Sequence, residues 1–385
     1  MLVIPQIIVP LQAKAYNMYD QIREDIFFFM FYAAVAMLSL NASCYLLFRR
    51  ANAIAPDIKS SARLRRWTAA FFAAIALCHL WYLPTYFLTS SDDMMLGSLI
   101  AGLLDSMTVI PLAIVILLTM LQDRRRPLWP VAVMVAPLVV GIAVFIANQN
   151  DTLLPMLRIY TLLLGIGLII YMVREVRRFG RWLRDNYADL EHKEVWQSFL
   201  VLAIIIFVFG IYTSGVGGMA YEYAVQAGDI VLVCYLLWRV ETLSDLSISQ
   251  SLLSPVEEET ISTQPTYEYI APLLQQHCIE TQLYLRHDLT LFQLAKAIGT
   301  NRFYLSQYFS SQGMTYNDYI NDLRIKHFIS LYHEAVDAQR SFYAQQMAQE
   351  SGFRSYSTFC SVIKRKKGKS VTAWIKTLHE GFGES

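Results

Sequence analysis

The amino-acid sequence predicts an all-α protein: a seven-helix transmembrane bundle followed by a cytoplasmic module of short helices. Three observations carry that prediction. Seven apolar stretches of membrane-crossing length lie between residues 26 and 239, basic and non-basic connections alternate between them, and a polar tail of helical period contains an internal repeat. Of 385 residues, 55% are hydrophobic and 16% charged, and mean hydropathy is +0.36. Soluble domains carry roughly 25% charged residues, so this composition argues against a chain of two or three soluble domains. The aromatic and aliphatic content excludes disorder. Cys44, Cys78, Cys234, Cys278 and Cys360 have no paired spacing and read as packing thiols in a reducing setting. No CxxC or HExxH spacing occurs, so neither a metal nor another cofactor is expected.

Residues 1–24 form the first segment, expected outside the membrane. Its opening stretch, 1–11, is too short to span, contains two prolines and lacks a basic region, which argues against a cleaved signal peptide. The membrane domain, 25–240, holds the seven stretches: 26–48, 67–88, 96–121, 128–147, 154–173, 196–219 and 224–239. A helix of about 20 apolar residues covers ~30 Å of hydrocarbon, and seven such helices in succession cannot share one soluble core. The connections 49–66, 122–127 and 174–195 hold fifteen basic residues, among them Arg124, Arg125 and Arg126. The connections 89–95, 148–153 and 220–223 hold no Lys or Arg and carry Asp92, Asp93, Asp151 and Glu222. Positive charge favours the cytoplasmic side, which puts the N-terminus outside and the C-terminus in the cytoplasm, as an odd number of spans requires.

Ionisable groups inside the spans are costly and therefore informative. Asp105, Asp229, His79 and Arg158 are the cases. On one reading Asp229 and Arg158 reach toward the headgroups while His79 bonds a backbone group. On the other, Asp105 and Asp229 line an outward-facing polar pocket with Trp81, Tyr82 and Tyr86, a site for a small-molecule or membrane-protein signal. Gly165, Gly167, Gly215, Gly217 and Gly218 are expected to permit close helix approach or a bend.

Residues 241–266, rich in Ser, Thr and Glu with Pro255 and Pro265, read as a linker. The module 267–385 then holds the repeat. Its first copy starts at Leu289 and its second at Phe342. Leu294-Ala295 and Gly299 in the first correspond to Met347-Ala348 and Gly352 in the second, and a second helix follows each glycine, with Leu305 and Phe309 or Phe359 and Ile363 on its buried face. Two helices crossing steeply need a small residue at closest approach, and the tight turn favours a glycine that accepts positive φ. A helix over about 316–334 joins the copies.

These residues identify the resemblance. The tail is similar to the AraC/XylS-type DNA-binding domain, through Leu294-Ala295, Gly299, Tyr304-Leu305-Ser306, Phe309, Gly313, Tyr319-Ile320 and Arg324-Ile325. The second motif matches at Met347-Ala348, Gly352-Phe353, Phe359, the basic residues after Ile363, Gly368 and Ser370. There are departures: Ile363 stands for the usual Phe, Phe328 for a small residue, and Thr358-Phe359-Cys360 for Tyr-Phe-Ser. The whole chain also looks like seven-span bacterial membrane proteins ending in such a domain.

The resemblance implies two helix-turn-helix motifs, each presenting a recognition helix to double-stranded DNA. Candidate base readers are Asn301, Arg302, Phe303 and Gln307 in the first motif and Arg354, Ser355, Tyr356 and Ser361 in the second. Lys364, Arg365, Lys366, Lys367 and Lys369 are expected to contact phosphate, supplying affinity without sequence preference. No catalytic constellation emerges. The expected function is a membrane-embedded transcription regulator in the bacterial cytoplasmic membrane, acting as a homodimer and coupling a signal sensed in the bilayer to promoter binding. The alternatives are a transporter-like protein, or a membrane receptor whose tail grips protein instead of DNA.

Overall fold

The computed structural model describes residues 21–148, 154–199, 219–246 and 269–382, which are helical with one isolated antiparallel bridge, between Tyr187 and Thr290. The chain divides into two compact units, 1–176 with 195–254, and 177–194 with 255–385. The connection 177–194, grouped by sequence with the membrane domain, thus folds with the C-terminal module.

The first unit is built from α1 (Ile26–Phe48), α2 (Ala62–Tyr82), α3 (Ser91–Met107), α4 (Val109–Met120), α5 (Trp129–Asn148), α6 (Leu154–Asn186, whose end from Arg177 belongs to the second unit) and α7 (Met219–Thr242). Among the described residues, six stretches are long and apolar enough to cross a bilayer, α3 and α4 counting together as Asp92–Met120. They coincide with six of the seven expected spans. The remaining one, 196–219, lies largely outside the described residues. Asp25 caps α1 by accepting the Phe28 N–H at 3.2 Å, which places the helix start at the first apolar residue. Its other carboxylate oxygen accepts the Tyr223 hydroxyl at 2.8 Å. The run 96–121, expected as one helix, breaks at Thr108 (φ −125°, ψ −69°). Pro111 explains the break: it cannot donate to the carbonyl of Met107, and its ring crowds that group.

Several expectations are corrected in this unit. Residues 220–223, expected as a loop, form the first turn and beyond of α7, and Glu222 is buried there. Cys44 and Cys234 face outward rather than packing inside. Gly165 and Gly167 have nothing within contact range of an added Cβ; the close approach occurs at Gly141, where a Cβ would meet Leu157 at 2.7 Å. Gly215, Gly217 and Gly218 lie outside the described residues, as does the Arg158 side chain. Beside α4, Arg126 is buried and donates to Glu175 at 2.6 and 2.9 Å, with Arg124 on the same carboxylate.

The second unit contains α8 (Ile270–Leu274), which continues through a wider turn over Gln275–Ile279, then a short 3-10 turn over Leu283–Leu285. There follow α9 (Leu291–Ala297), α10 (Arg302–Ser311), α11 (Tyr316–Asp337), α12 (Ala344–Glu350), α13 (Tyr356–Lys367) and α14 (Val371–Phe382). Two apolar cores result. Leu294, Ala295, Leu305, Phe309 and Ile320 belong to one, with Ala188 from the 177–194 connection; Phe328, Met347, Ala348, Phe359, Ile363 and Trp374 belong to the other. Two of the departures noted above meet in the second core. Phe328 brings a large ring, 4.6 Å from that of Phe359, where a small residue is usual, and Ile363 brings a smaller side chain where Phe is usual. The ring at 328 adds volume to this core and Ile363 gives a smaller amount back, so the two departures act in opposite directions on its packing.

Arg324 of α11 joins the parts. It is fully buried, and its Nε and Nη2 donate to the carbonyls of Tyr284 and Arg286 at 2.8 and 2.7 Å. Its guanidinium also lies over the Phe353 ring, 5.8 Å from the centroid. Burial pulls its pKa down to about 10, so it stays charged at neutral pH.

Candidate nucleic-acid interface and membrane polar cluster

The two helix pairs, α9–α10 and α12–α13, share a positive-φ glycine in the turn and a side-chain N-cap on the second helix. Thr290 opens α9 with a capping box, accepting from Gln293 N at 3.2 Å while the Gln293 side chain accepts from Thr290 N at 2.9 Å. The turn to α10 passes through Gly299 at φ +71°, and the turn to α13 through Gly352 at φ +87°. Gly352 has two reasons to lack a side chain, because a Cβ there would also fall 2.6 Å from the backbone of Leu285. Asn301 and Ser355 occupy equivalent places as N-caps of α10 and α13, accepting from Tyr304 N at 2.9 Å and Thr358 N at 3.2 Å. Part of each candidate reader's bonding capacity is therefore spent on its own helix.

The other candidates distribute as follows. Phe303 and Gln307, one turn apart on α10, are both exposed, with Phe303 at 63%. Arg302 is half-buried, and that burial lowers its pKa against an opposing influence from Tyr187. On α13, Ser361 is exposed and Tyr356 packs partly on Phe359. Arg354, exposed, lies 3.8 Å from the Asp189 carboxylate. The five cations after Ile363 divide into two sets. Lys364, Lys367 and Lys369 are exposed. Lys366 instead donates to Asp322 at 2.6 Å and lies 3.7 Å from Asp318, and Arg365 donates to Asn317 Oδ1 at 2.8 Å. Gly368 ends α13 in the left-handed region at φ +68°.

The sequence reading did not anticipate the 187–194 segment here. Asn317 Nδ2, buried on α11, donates to the carbonyls of Tyr187 and Ala188 at 3.1 and 2.7 Å. The Glu191 carboxylate accepts the Ser355 hydroxyl at 2.6 Å and also that of Thr358. Burial alone would raise the Glu191 pKa, but these two hydrogen bonds, with His192 and Arg354, hold it below the ordinary carboxylate range. The cleft between the segment and α13, lined by Leu190, Glu194, Ser357, Ser361 and Arg365 among others, has a volume of about 180 Å³.

In the first unit the structure brings together three of the five residues expected to form a pocket. Trp81 Nε1 donates to one Asp105 oxygen at 3.1 Å and the Tyr82 hydroxyl to the other at 3.0 Å. Asp229, on α7, is half-buried. Tyr86 turns to Glu222 instead, at 3.2 Å. His79 bonds the Ile75 carbonyl through Nδ1 at 2.8 Å, as one reading expected, and Gln226 through Nε2 at 2.9 Å. The carbonyl can only accept, which assigns the Nδ1 proton. Glu222 and Gln226 complete this cluster: Glu222 reads as a loop residue in the sequence because α7 starts earlier than its apolar run, and Gln226, inside that run, carries no charge to mark it.

Among the described residues no group of His, Cys, Asp and Glu is arranged to hold a metal ion. A family model for a helix-turn-helix domain matches residues 294–377, a stretch that takes in most of both helix pairs and the whole of α11. No curated protein and no solved structure matches the chain. Domains of this kind are regulatory rather than catalytic. The chain carries a helix-turn-helix domain of the AraC/XylS type near its C-terminus, behind several long, apolar, membrane-like helices.

Proposed function

We propose that this protein is a membrane-embedded, sequence-specific DNA-binding transcription regulator, in which the membrane bundle senses a signal and biases promoter binding by a double helix-turn-helix domain in the cytoplasm. The observation that carries the reading is the pairwise equivalence of α9–α10 and α12–α13. Each pair has a positive-φ glycine in its turn, a side-chain N-cap on its second helix, and polar residues on that helix's outer side. Such a helix can present its first turns to a major groove. Lys364, Lys367 and Lys369 supply phosphate contacts at the end of the second helix, and Arg302 and Arg354 supply the bidentate forks suited to guanine.

Chromatin immunoprecipitation from cells tests this directly, and enrichment at discrete promoters is the expected result. Absence of enrichment would favour a tail that grips protein. At the level of the purified full chain, replacing Lys364, Lys367 and Lys369 by Ala should weaken binding to all sequences. It should also flatten the salt dependence by about 0.9 in log–log slope per lost phosphate contact. Arg302→Ala and Arg354→Ala should relax sequence preference instead. For the sensing half, Asp105→Asn and Asp229→Asn should alter the response of a reporter promoter. An unchanged response would make the Trp81–Tyr82–Asp105 cluster a structural feature of the bundle.

A further inference from the structure

The segment after α6 reads Tyr187-Ala-Asp-Leu-Glu-His-Lys-Glu194, and its two halves do different things. Tyr187 and Ala188 are an anchor. Both are buried, both carbonyls accept from Asn317, the Ala188 N–H faces the Leu289 carbonyl at 3.4 Å, and Tyr187 bridges Thr290. Three of the six following residues are acidic, and two of these lie against the candidate DNA-reading residues at the start of α13. Asp189 faces Arg354 and its own neighbour Lys193 at 3.8 Å each, while Glu191 takes hydroxyl hydrogen bonds from Ser355 and Thr358 at the N-terminal end of that helix. The turn is held in shape from within, by Glu191 N–H on Asp189 Oδ1 at 2.9 Å and Lys193 N–H on Leu190 O at 3.1 Å.

We propose that residues 189–194 are an internal competitor for DNA, which keeps the second recognition helix closed until the segment is lifted away on its Tyr187–Ala188 anchor. The dipole at a helix N-terminus favours an anion, and the Glu191 carboxylate accepts the Ser355 and Thr358 hydroxyls there as a DNA phosphate oxygen would. The Arg354 fork, suited to guanine, meets a carboxylate in the same way. The cleft left between the segment and α13 has a volume of about 180 Å³. A brace serving stability alone has no need of acidic groups aimed at these side chains, and the neutral anchor already ties the segment down. The segment follows α6 directly in the chain, so a displacement of that helix can change the open population through covalent continuity. DNA affinity then scales with that population.

The inference rests on the DNA-binding reading, and one experiment separates the two. The full chain in nanodiscs is titrated with a fluorescent duplex of mixed sequence at low salt. Four forms are compared: wild type, Asp189→Asn/Glu191→Gln, Lys364→Ala/Lys367→Ala/Lys369→Ala, and the two sets combined. The conservative amide replacements keep an acceptor at each position, so the turn is retained. The expected result is binding on the order of ten-fold tighter for the amide variant, with the gain lost when the lysines are also removed. Equal affinity of amide variant and wild type, with binding still dependent on the lysines, overturns the competitor and leaves DNA binding standing. No duplex binding by any form overturns both. Hydrogen exchange gives a second readout on the wild type. Duplex should speed exchange at the amides of Glu191 and Lys193, whereas unchanged or slower exchange there in a DNA-saturated sample refutes the proposal.

Discussion

Replacing Arg324 by Met should destabilise the C-terminal unit by about 3–5 kcal/mol, because removing one partner of a buried charged hydrogen bond strands the other. The Met side chain keeps most of the stem and its packing, so the loss isolates the guanidinium. Two carbonyls, Tyr284 O and Arg286 O, lose donors at 2.8 and 2.7 Å in a site from which the arginine is wholly excluded from solvent. A single charged hydrogen bond is worth roughly 1.5–3 kcal/mol, and two of them reach the stated range. Domains of this size have about 5–15 kcal/mol in all, so roughly a fifth or more is at stake. The midpoint of thermal unfolding should fall by roughly 10–20 °C. Arg324→Lys keeps the charge but offers one nitrogen instead of a fork, and should recover about half of the loss. The assay is urea unfolding of the purified full chain, with hydrogen exchange at the α11 amides reporting the C-terminal unit alone. An Arg324→Met variant within 1 kcal/mol of wild type, or Lys indistinguishable from Met, would refute the reasoning.

The remaining expectations use the same exchange readout or a thermal melt. Gly352→Ala combines positive φ with a backbone collision at Leu285 and should cost more than about 2 kcal/mol; Gly368→Ala, which meets only open space, should cost about 1 kcal/mol. Both Gly352 and Arg324 press on the 283–286 turn, so their combined loss should depart measurably from additivity. Phe328→Ala should cost about 3–5 kcal/mol through the cavity beside Phe359 and Trp374. Adding Ile363→Phe to that variant should restore part of it; a double variant no more stable than Phe328→Ala would show that the two positions do not share volume. In the first unit, Glu175→Gln leaves the buried Arg126 with Asp123 as its remaining ion-pair partner. Detergent-solubilised protein should lose about 3 kcal/mol, read as faster exchange over 121–126.

Much of this architecture was legible before any coordinates. Helix positions in both units follow from apolar runs, caps and glycines, which act over a few residues: Asp25, Thr290, Asn301, Thr315 and Ser355 each mark a start, and Gly299, Gly313, Gly352 and Gly368 each mark a turn. The break at Thr108 was legible in principle through Pro111, but hydropathy averages over it. Glu222 was misplaced for a related reason. Its flanking residues are too polar to extend an apolar run, yet the Tyr86 hydroxyl makes its burial tolerable. The acidic stretch 189–194 was hidden differently. Orientation in a bilayer is read from Lys and Arg, so the connection 174–195 registered as basic and its carboxylates went unweighed.

Local chemistry by itself therefore determined what each segment becomes: apolar helices of bilayer length, and a polar tail in which one helix pair is used twice. Only the tertiary structure decided which distant groups meet. Whether Lys366 faces Asp322 or solvent, whether Glu191 meets Ser355, and whether Phe328 meets Phe359 depend on side chains tens or hundreds of residues apart. The physical reason is range. Helix propensity, capping and turn conformation act between neighbours in the chain, whereas packing volume, buried hydrogen bonds and charge pairing act between neighbours in space. The contacts that bring Asp189 and Glu191 onto the start of α13 belong to the second kind.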